Sequence, residues 1–153
     1  MESLLEYLNR SSQKPIDYVT KVEIHYNSLR VPDGVQINAE KKPFLLYGAL
    51  DYNYVSWIFS NKESKRVKGK LPSVDEWRII LENIDEVDRL LREAGFSDLS
   101  SQINYAWTSD LYDNENAYIV KLYHGPDGCT KTVNNILPKK QKTACRIISY
   151  NVN

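Results

Sequence analysis

The sequence predicts an α+β protein. Two alternating runs, Tyr18 to Leu29 and Ala117 to Tyr123, have the period of strands. Between them lies one strongly amphipathic helical stretch, Ser73 to Ala94. Turn-forming clusters separate these segments, among them Pro32-Asp33-Gly34 and His124-Gly125-Pro126-Asp127-Gly128.

Each element has a local cause. Glu2 to Arg10 reads as a short helix with Leu4, Leu5 and Leu8 on one side, broken by Ser11 to Pro15. In the first strand Val22, Ile24 and Tyr26 share one face, and Lys21, Glu23 and His25 the other. Val35-Gln36-Ile37 reads as a short strand after the Pro32–Gly34 turn, and Pro43 to Leu50 as an apolar run. Asp51 to Ser60, with Tyr52, Tyr54, Trp57 and Phe59, fits helix and strand equally, and Asn61 to Lys70 reads as a charged loop. Ser73 followed by Glu76 is a capping-box pattern, and Asp75 adds negative charge where the helix dipole favours it. Val74, Trp77, Ile80, Leu81, Ile84, Val87, Leu90 and Leu91 form the apolar stripe that follows. Gly95 is the C-terminal stop, and Asp85 is a candidate cap for a split into two helices. Phe96 to Gln102 reads as a loop, Tyr105 to Thr108 as a short strand, and Tyr112 to Asn116 as a turn. Thr130 to Asn135 reads as a returning strand, Pro138 to Lys142 as a basic loop, and Ala144 to Val152 as the last strand.

Composition narrows the function classes. The 153 residues suit one domain with a real core. With 42% apolar and 26% charged residues, disorder throughout is not expected. Lys and Arg balance Asp and Glu, so no overall field draws nucleic acid or an anionic membrane. No apolar run is long enough for membrane insertion. The first ten residues lack the basic start and apolar centre of a secretory signal. Eleven tyrosines suit half-buried strands and binding rims alike.

The chemistry-bearing residues are few. Cys129 and Cys145 have no CxxC or nearby His at ligand spacing, so no metal and no cofactor are expected. The two cysteines either form one disulfide, contributing about 3 kcal/mol in the chain-entropy model, or remain free. His25 and His124 have no Ser or Cys beside them at a recognisable spacing, and read as surface residues. Asp110, Asp113, Asn114, Glu115 and Asn116 are rich in oxygen but lack EF-hand spacing, which favours a solvated turn over a cation site. The clusters Lys62 to Lys70 and Lys139 to Arg146 read as solvated loops. Trp77 and Trp107 read as core.

The order of four motifs resembles a known family. They are Leu71-Pro72-Ser73-Val74-Asp75-Glu76-Trp77, Trp107-Thr108-Ser109, Asn114-Glu115-Asn116-Ala117-Tyr118-Ile119-Val120 and Cys145-Arg146-Ile147-Ile148. In this order they resemble the C-type-lectin-like domains related to the formylglycine-generating enzyme, and most of all the small bacterial surface domains of that type. The resemblance spans about residues 33 to 148 and departs from the pattern at Ala144, before the Cys-Arg pair. It implies a domain over residues 33–153, with residues 1–32 as an N-terminal helix and strand extension. The implied fold is C-type-lectin-like, a mainly antiparallel twisted sheet with one or two helices and long loops.

What the resemblance implies for function is a non-catalytic binding or adhesion module. Its loops would meet a glycan or protein ligand. Placement would be extracellular or at the cell surface if a signal has been removed. The enzyme branch uses paired cysteines near its C-terminus; Cys129 and Cys145 stand too far apart in sequence to carry that over. The Glu-Pro-Asn and Gln-Pro-Asp patterns of calcium lectins are absent. Tyr105, Asp110, Tyr112, Asn114 and Asn116, with Lys139 and Lys140, are the expected ligand-binding face. A diverged oxidase, an unrecognised hydrolase and a structural domain of a larger surface protein are the alternatives.

Overall fold

Alternation in sequence becomes pairing in space. Val22 and Ile24 stand opposite Ile37 and Val35, so four β-branched side chains meet on one face. The computed structural model that shows this describes residues 17–124 and 130–152. Among them seven strands form one sheet: β1 (Val19–Tyr26), β2 (Pro32–Ala39), β3 (Phe44–Val55), β4 (Tyr105–Leu111), β5 (Asn116–His124), β6 (Thr130–Pro138) and β7 (Thr143–Ser149). Three helices follow β3: α1 (Trp57–Arg66), α2 (Val74–Glu82) and α3 (Ile84–Glu93). The molecule is thus α+β, with a mixed sheet.

The spatial order is β1-β2-β3-β7-β4-β5-β6. Every neighbouring pair is antiparallel except β4 and β7, which are parallel and meet at Ala106 and Ala144. Two meanders, β1–β3 and β4–β6, therefore flank the central β7. Every residue of β7 is buried. Ile148 joins the core cluster with Trp77, Ile80 and Leu91, while Cys145 and Ile147 join a second cluster with Leu71, Trp107 and Ile119. Both faces of this strand are covered, so its apolar residues do not alternate with exposed ones, and Thr143, Arg146 and Ser149 are buried with them.

The capping box forms as expected. The Glu76 N–H donates to Ser73 Oγ at 3.0 Å, and the Ser73 N–H donates to the Glu76 carboxylate at 2.9 Å. Gly95 ends α3 with φ of +90°. The Phe96 N–H reaches the Leu91 carbonyl and the Gly95 N–H the Arg92 carbonyl, the paired bonds of a Schellman cap. Trp77 and Trp107 are both fully buried. The loop after Gly95 is held by the buried Asp88 carboxylate, which accepts from the Leu99 N–H and the Ser100 hydroxyl.

Several expectations need correction. Three helices are present among the described residues, not one or two. Asp51 to Ser60 divides: the strand runs to Val55, Ser56 caps a helix through a bond from the Phe59 N–H, and that helix continues to Arg66. Asn61 to Arg66 is therefore helical, not loop. Its apolar stripe was invisible because α1 buries Ser60 and Ser64 instead. The split after α2 occurs at Asn83, and Asp85 lies within the first turn of α3 rather than capping it. Pro32-Asp33-Gly34 is strand, not turn. The reversal falls at Asn27 to Val31, where Asn27 Oδ1 accepts from the Leu29 and Val31 N–H groups and Arg30 has φ of 60°. Gly34 serves close strand approach, since a Cβ there would lie 2.0 Å from the Leu46 carbonyl oxygen. The returning strand β6 runs on to Pro138.

Residues 19–26 of the expected extension pair with β2 along their length, so they continue the same sheet. The expected helix at Glu2–Arg10, the Ser11–Pro15 break, residues 125–128 of the expected turn and Cys129 lie outside the described residues.

Candidate functional site

Three chain reversals meet at one end of the sheet, and tryptophan side chains join them. The β3–α1 junction supplies Val55 to Trp57, the β4–β5 turn Tyr112 to Glu115, and the β6–β7 turn Lys139 to Lys142. Each indole N–H in the chain donates to a backbone carbonyl of another element. Trp77 bonds the Trp107 carbonyl at 3.1 Å, Trp107 the Val55 carbonyl at 2.9 Å, and Trp57 the Thr108 carbonyl at 3.0 Å. A buried indole needs such a partner, and here each one fixes a segment in place.

The turn residues are held in the same way. The Ser109 N–H donates to the Pro72 carbonyl, which ties β4 to the start of α2. Asp110 Oδ2 accepts from the Val74 N–H at 2.7 Å, adding a second anionic cap to that helix. Asp113 closes the β4–β5 turn by accepting from the Glu115 and Asn116 N–H groups, both at 2.8 Å, and from the Asn116 side chain. These donors, with the nearby Lys139 ammonium as the least of the causes, hold the Asp113 carboxyl below the usual range. The oxygen-rich cluster is thus a self-satisfied turn. Among the described residues no group of His, Cys, Asp or Glu is placed to hold a metal ion.

Lys139 is the hub of this end. Its carbonyl accepts from the Trp57 N–H, its N–H donates to the Glu115 carbonyl at 2.8 Å, and its Nζ donates to the Asn114 carbonyl at 2.9 Å. The same ammonium sits 4.5 Å from the centre of the Trp57 ring. Lys142 lies 5.5 Å from the ring centre of Tyr54.

The seven expected face residues fall into three groups. Tyr112, Asn114 and Lys140 are exposed at this end, with Tyr112 set edge-on to Tyr118 at 6.0 Å. Asp110, Asn116 and Lys139 are at the same end but half-buried, and their polar groups bond the framework. Tyr105 stands apart at the start of β4. Its ring packs on the second core cluster and faces Lys121, while its carbonyl accepts from Thr143. The sequence reading missed Tyr54, Trp57, Ile58 and Phe59. The aromatic richness of this stretch was visible, but the helix that carries Trp57, Ile58 and Phe59 was not.

The remaining candidates are structural. His25 Nδ1 lies 2.6 Å from Asp33 and its Nε2 3.2 Å from the Val152 carbonyl, which ties the C-terminal residues to the first hairpin. Cys145 is a buried thiol, free among the described residues, and burial pushes it up to about 11. At neutral pH it holds almost no thiolate, the form that attacks substrates. Arg146 is buried beside it, donating to the Tyr52 and Cys145 carbonyls and to Asn53 Oδ1. No family model and no curated protein matches this chain.

Proposed function

We propose that the protein is a non-catalytic binding module of the C-type-lectin-like type. It meets a glycan or protein ligand at the end of the sheet where the three reversals join, in a surface-exposed setting. The observation that carries this reading is the division of labour at that end. Indole N–H groups and the Asp110 and Asp113 carboxylates fix the backbone, while Tyr112, Asn114 and Lys140 point outward. A rigid scaffold with free aromatic and polar tips suits recognition, because little side-chain and loop entropy is lost on binding. The ordered Leu71–Trp77, Trp107–Ser109 and Asn114–Val120 motifs support the fold assignment. They are the segments that supply the α2 cap, the indole bonds and the β5 strand. The buried Cys145 supports a non-catalytic role.

The test is a glycan array and a protein-binding screen run with the parent and with Tyr112→Ala and Lys140→Ala. The expected result is a ligand whose binding falls with either variant, while thermal stability stays within about 0.5 kcal/mol, as for surface substitutions. Folded protein that binds nothing in either screen would overturn the reading. So would copper-dependent turnover of a cysteine-containing peptide.

A further inference from the structure

The first helix is built inside out. α1 turns Ser60 and Ser64, 0% and 1% exposed, toward its own sheet. It leaves Ile58 and Phe59, 48% and 43% exposed, facing solvent. The buried hydroxyls are satisfied within the helix, Ser60 on the Ser56 carbonyl and Ser64 on the Asn61 carbonyl, both at 2.8 Å. Small side chains let α1 lie close to β7. That accounts for the inner face. It does not account for the outer one, because an amphipathic helix packing only on its own sheet places its apolar residues inward.

The outer face continues onto the sheet. Phe59 meets Tyr52 edge-on at 5.3 Å, and Tyr54, two residues along the same strand, is 74% exposed. Helical spacing puts Lys62 and Lys65 on the side of α1 that carries Ile58. Lys142 stands over Tyr54 and Lys140 is exposed close by in chain. The one carboxylate of α1, Glu63, is engaged by Arg66 and by the Tyr52 hydroxyl. An aromatic and aliphatic centre is therefore rimmed by cations, in a chain whose net charge is zero.

We propose that this face docks an acidic protein segment carrying an apolar anchor. The inference rests on the binding-module reading and names the partner's chemistry. An apolar centre with a polar rim is the anatomy of a protein interface, and lysines at the rim select carboxylates on the partner. A second copy is disfavoured, because two-fold pairing would set these lysines against each other. A bilayer is disfavoured because Ile58 and Phe59 keep half of their surface against their own domain, which leaves too little to insert.

The test selects random displayed peptides against the whole protein and maps the winners by amide chemical shifts. Selected peptides should combine Asp and Glu with a Leu, Phe or Trp, and should shift the amides of residues 54–66. The double variant Ile58→Ser/Phe59→Ser should weaken them by about tenfold or more, as expected at a hot spot. Should that variant misfold, the surface variant Lys62→Glu/Lys65→Glu should show a similar loss, shrinking as salt is raised. Peptides without acidic enrichment, or binding unchanged by both variants, would overturn the proposal. Binding lost in Tyr112→Ala but unchanged by both face variants would overturn it while leaving the module reading intact. Tighter binding at residues 54–66 by phosphatidylglycerol vesicles, or a concentration-dependent dimer broken by Lys62→Glu/Lys65→Glu, would replace it with a membrane or a self-association site.

Discussion

Replacing Trp107 with Phe isolates what the indole bonds contribute. The substitution keeps an aromatic ring in a site with no exposed surface, but removes the N–H that donates to the Val55 carbonyl at 2.9 Å. Depriving this part-buried acceptor of its donor costs about 1–3 kcal/mol. The smaller ring leaves a cavity worth roughly another 1–2 kcal/mol, since the neighbours relax only in part. The sum, about 2–5 kcal/mol, is a large share of the 5–15 kcal/mol that holds an ordinary domain together. At roughly 2–4 °C per kcal/mol for a chain of this size, the Tm should fall by about 4–20 °C. Thermal unfolding followed by circular dichroism measures the Tm, and urea unfolding the free energy. The half-buried Trp57 gives the internal comparison: its N–H also makes a part-buried bond, to the Thr108 carbonyl at 3.0 Å, but its ring is only half-buried and its replacement leaves a smaller buried cavity. Trp57→Phe should therefore cost less, about 1 kcal/mol. A Trp107→Phe protein within about 0.5 kcal/mol of the parent would refute the clamp. So would a Trp57→Phe protein that is the less stable of the two.

Three further outcomes are expected. Gly95→Ala should destabilise by about 1–2 kcal/mol, because a Cβ there meets nothing within 4 Å and the cost is the φ of +90° alone; unchanged stability to urea would contradict the Schellman assignment. The Asp113 carboxyl should titrate below an exposed Asp by carbon-13 NMR, since its folded pKa is lowered. Its contribution to turn order is then present above the ordinary Asp range, near pH 4, and is lost as pH falls through the depressed value; Asn116→Ala should raise the midpoint, and a midpoint already at the ordinary value would contradict the network. In a Cys129→Ser background, Cys145 should resist iodoacetamide at pH 8 until denaturant is added, and labelling at the rate of a free exposed thiol would contradict its burial and its raised pKa of about 11.

Which elements were legible in the sequence follows from how locally each is determined. Ser73 and Glu76 satisfy each other three residues apart, so the α2 start is written in four residues. Gly95 works through its own φ. Trp77 was legible as core because it lies on a helical apolar stripe. α1 was not legible, because its inner face was chosen for closeness to β7 and its outer face for something other than solvent. Pro32-Asp33-Gly34 misled for a related reason. Gly34 answers to the Leu46 carbonyl on the neighbouring strand, a contact that no local pattern encodes. Of the site, the exposed turn residues were legible as turn, but Asp110 was not legible as a cap for a helix thirty-six residues upstream.

That last contact explains why one short turn carries two kinds of polar residue. Asp110 and Asp113 each receive backbone N–H groups, so changing them alters the scaffold first and any ligand contact second. Asn114 lends only its carbonyl, to Lys139, and Tyr112 lends its N–H, to the Asn116 carbonyl. Both leave their side chains outside the backbone bonds of the turn. Substitution at Tyr112 or Asn114 therefore changes the surface without changing the path of the chain. The indole bonds extend this separation to the neighbouring reversals, since Trp57 and Trp107 anchor through backbone carbonyls, which every residue type supplies. A scaffold anchored through carbonyls rather than side chains leaves its outward tips free of any part in holding the chain's path.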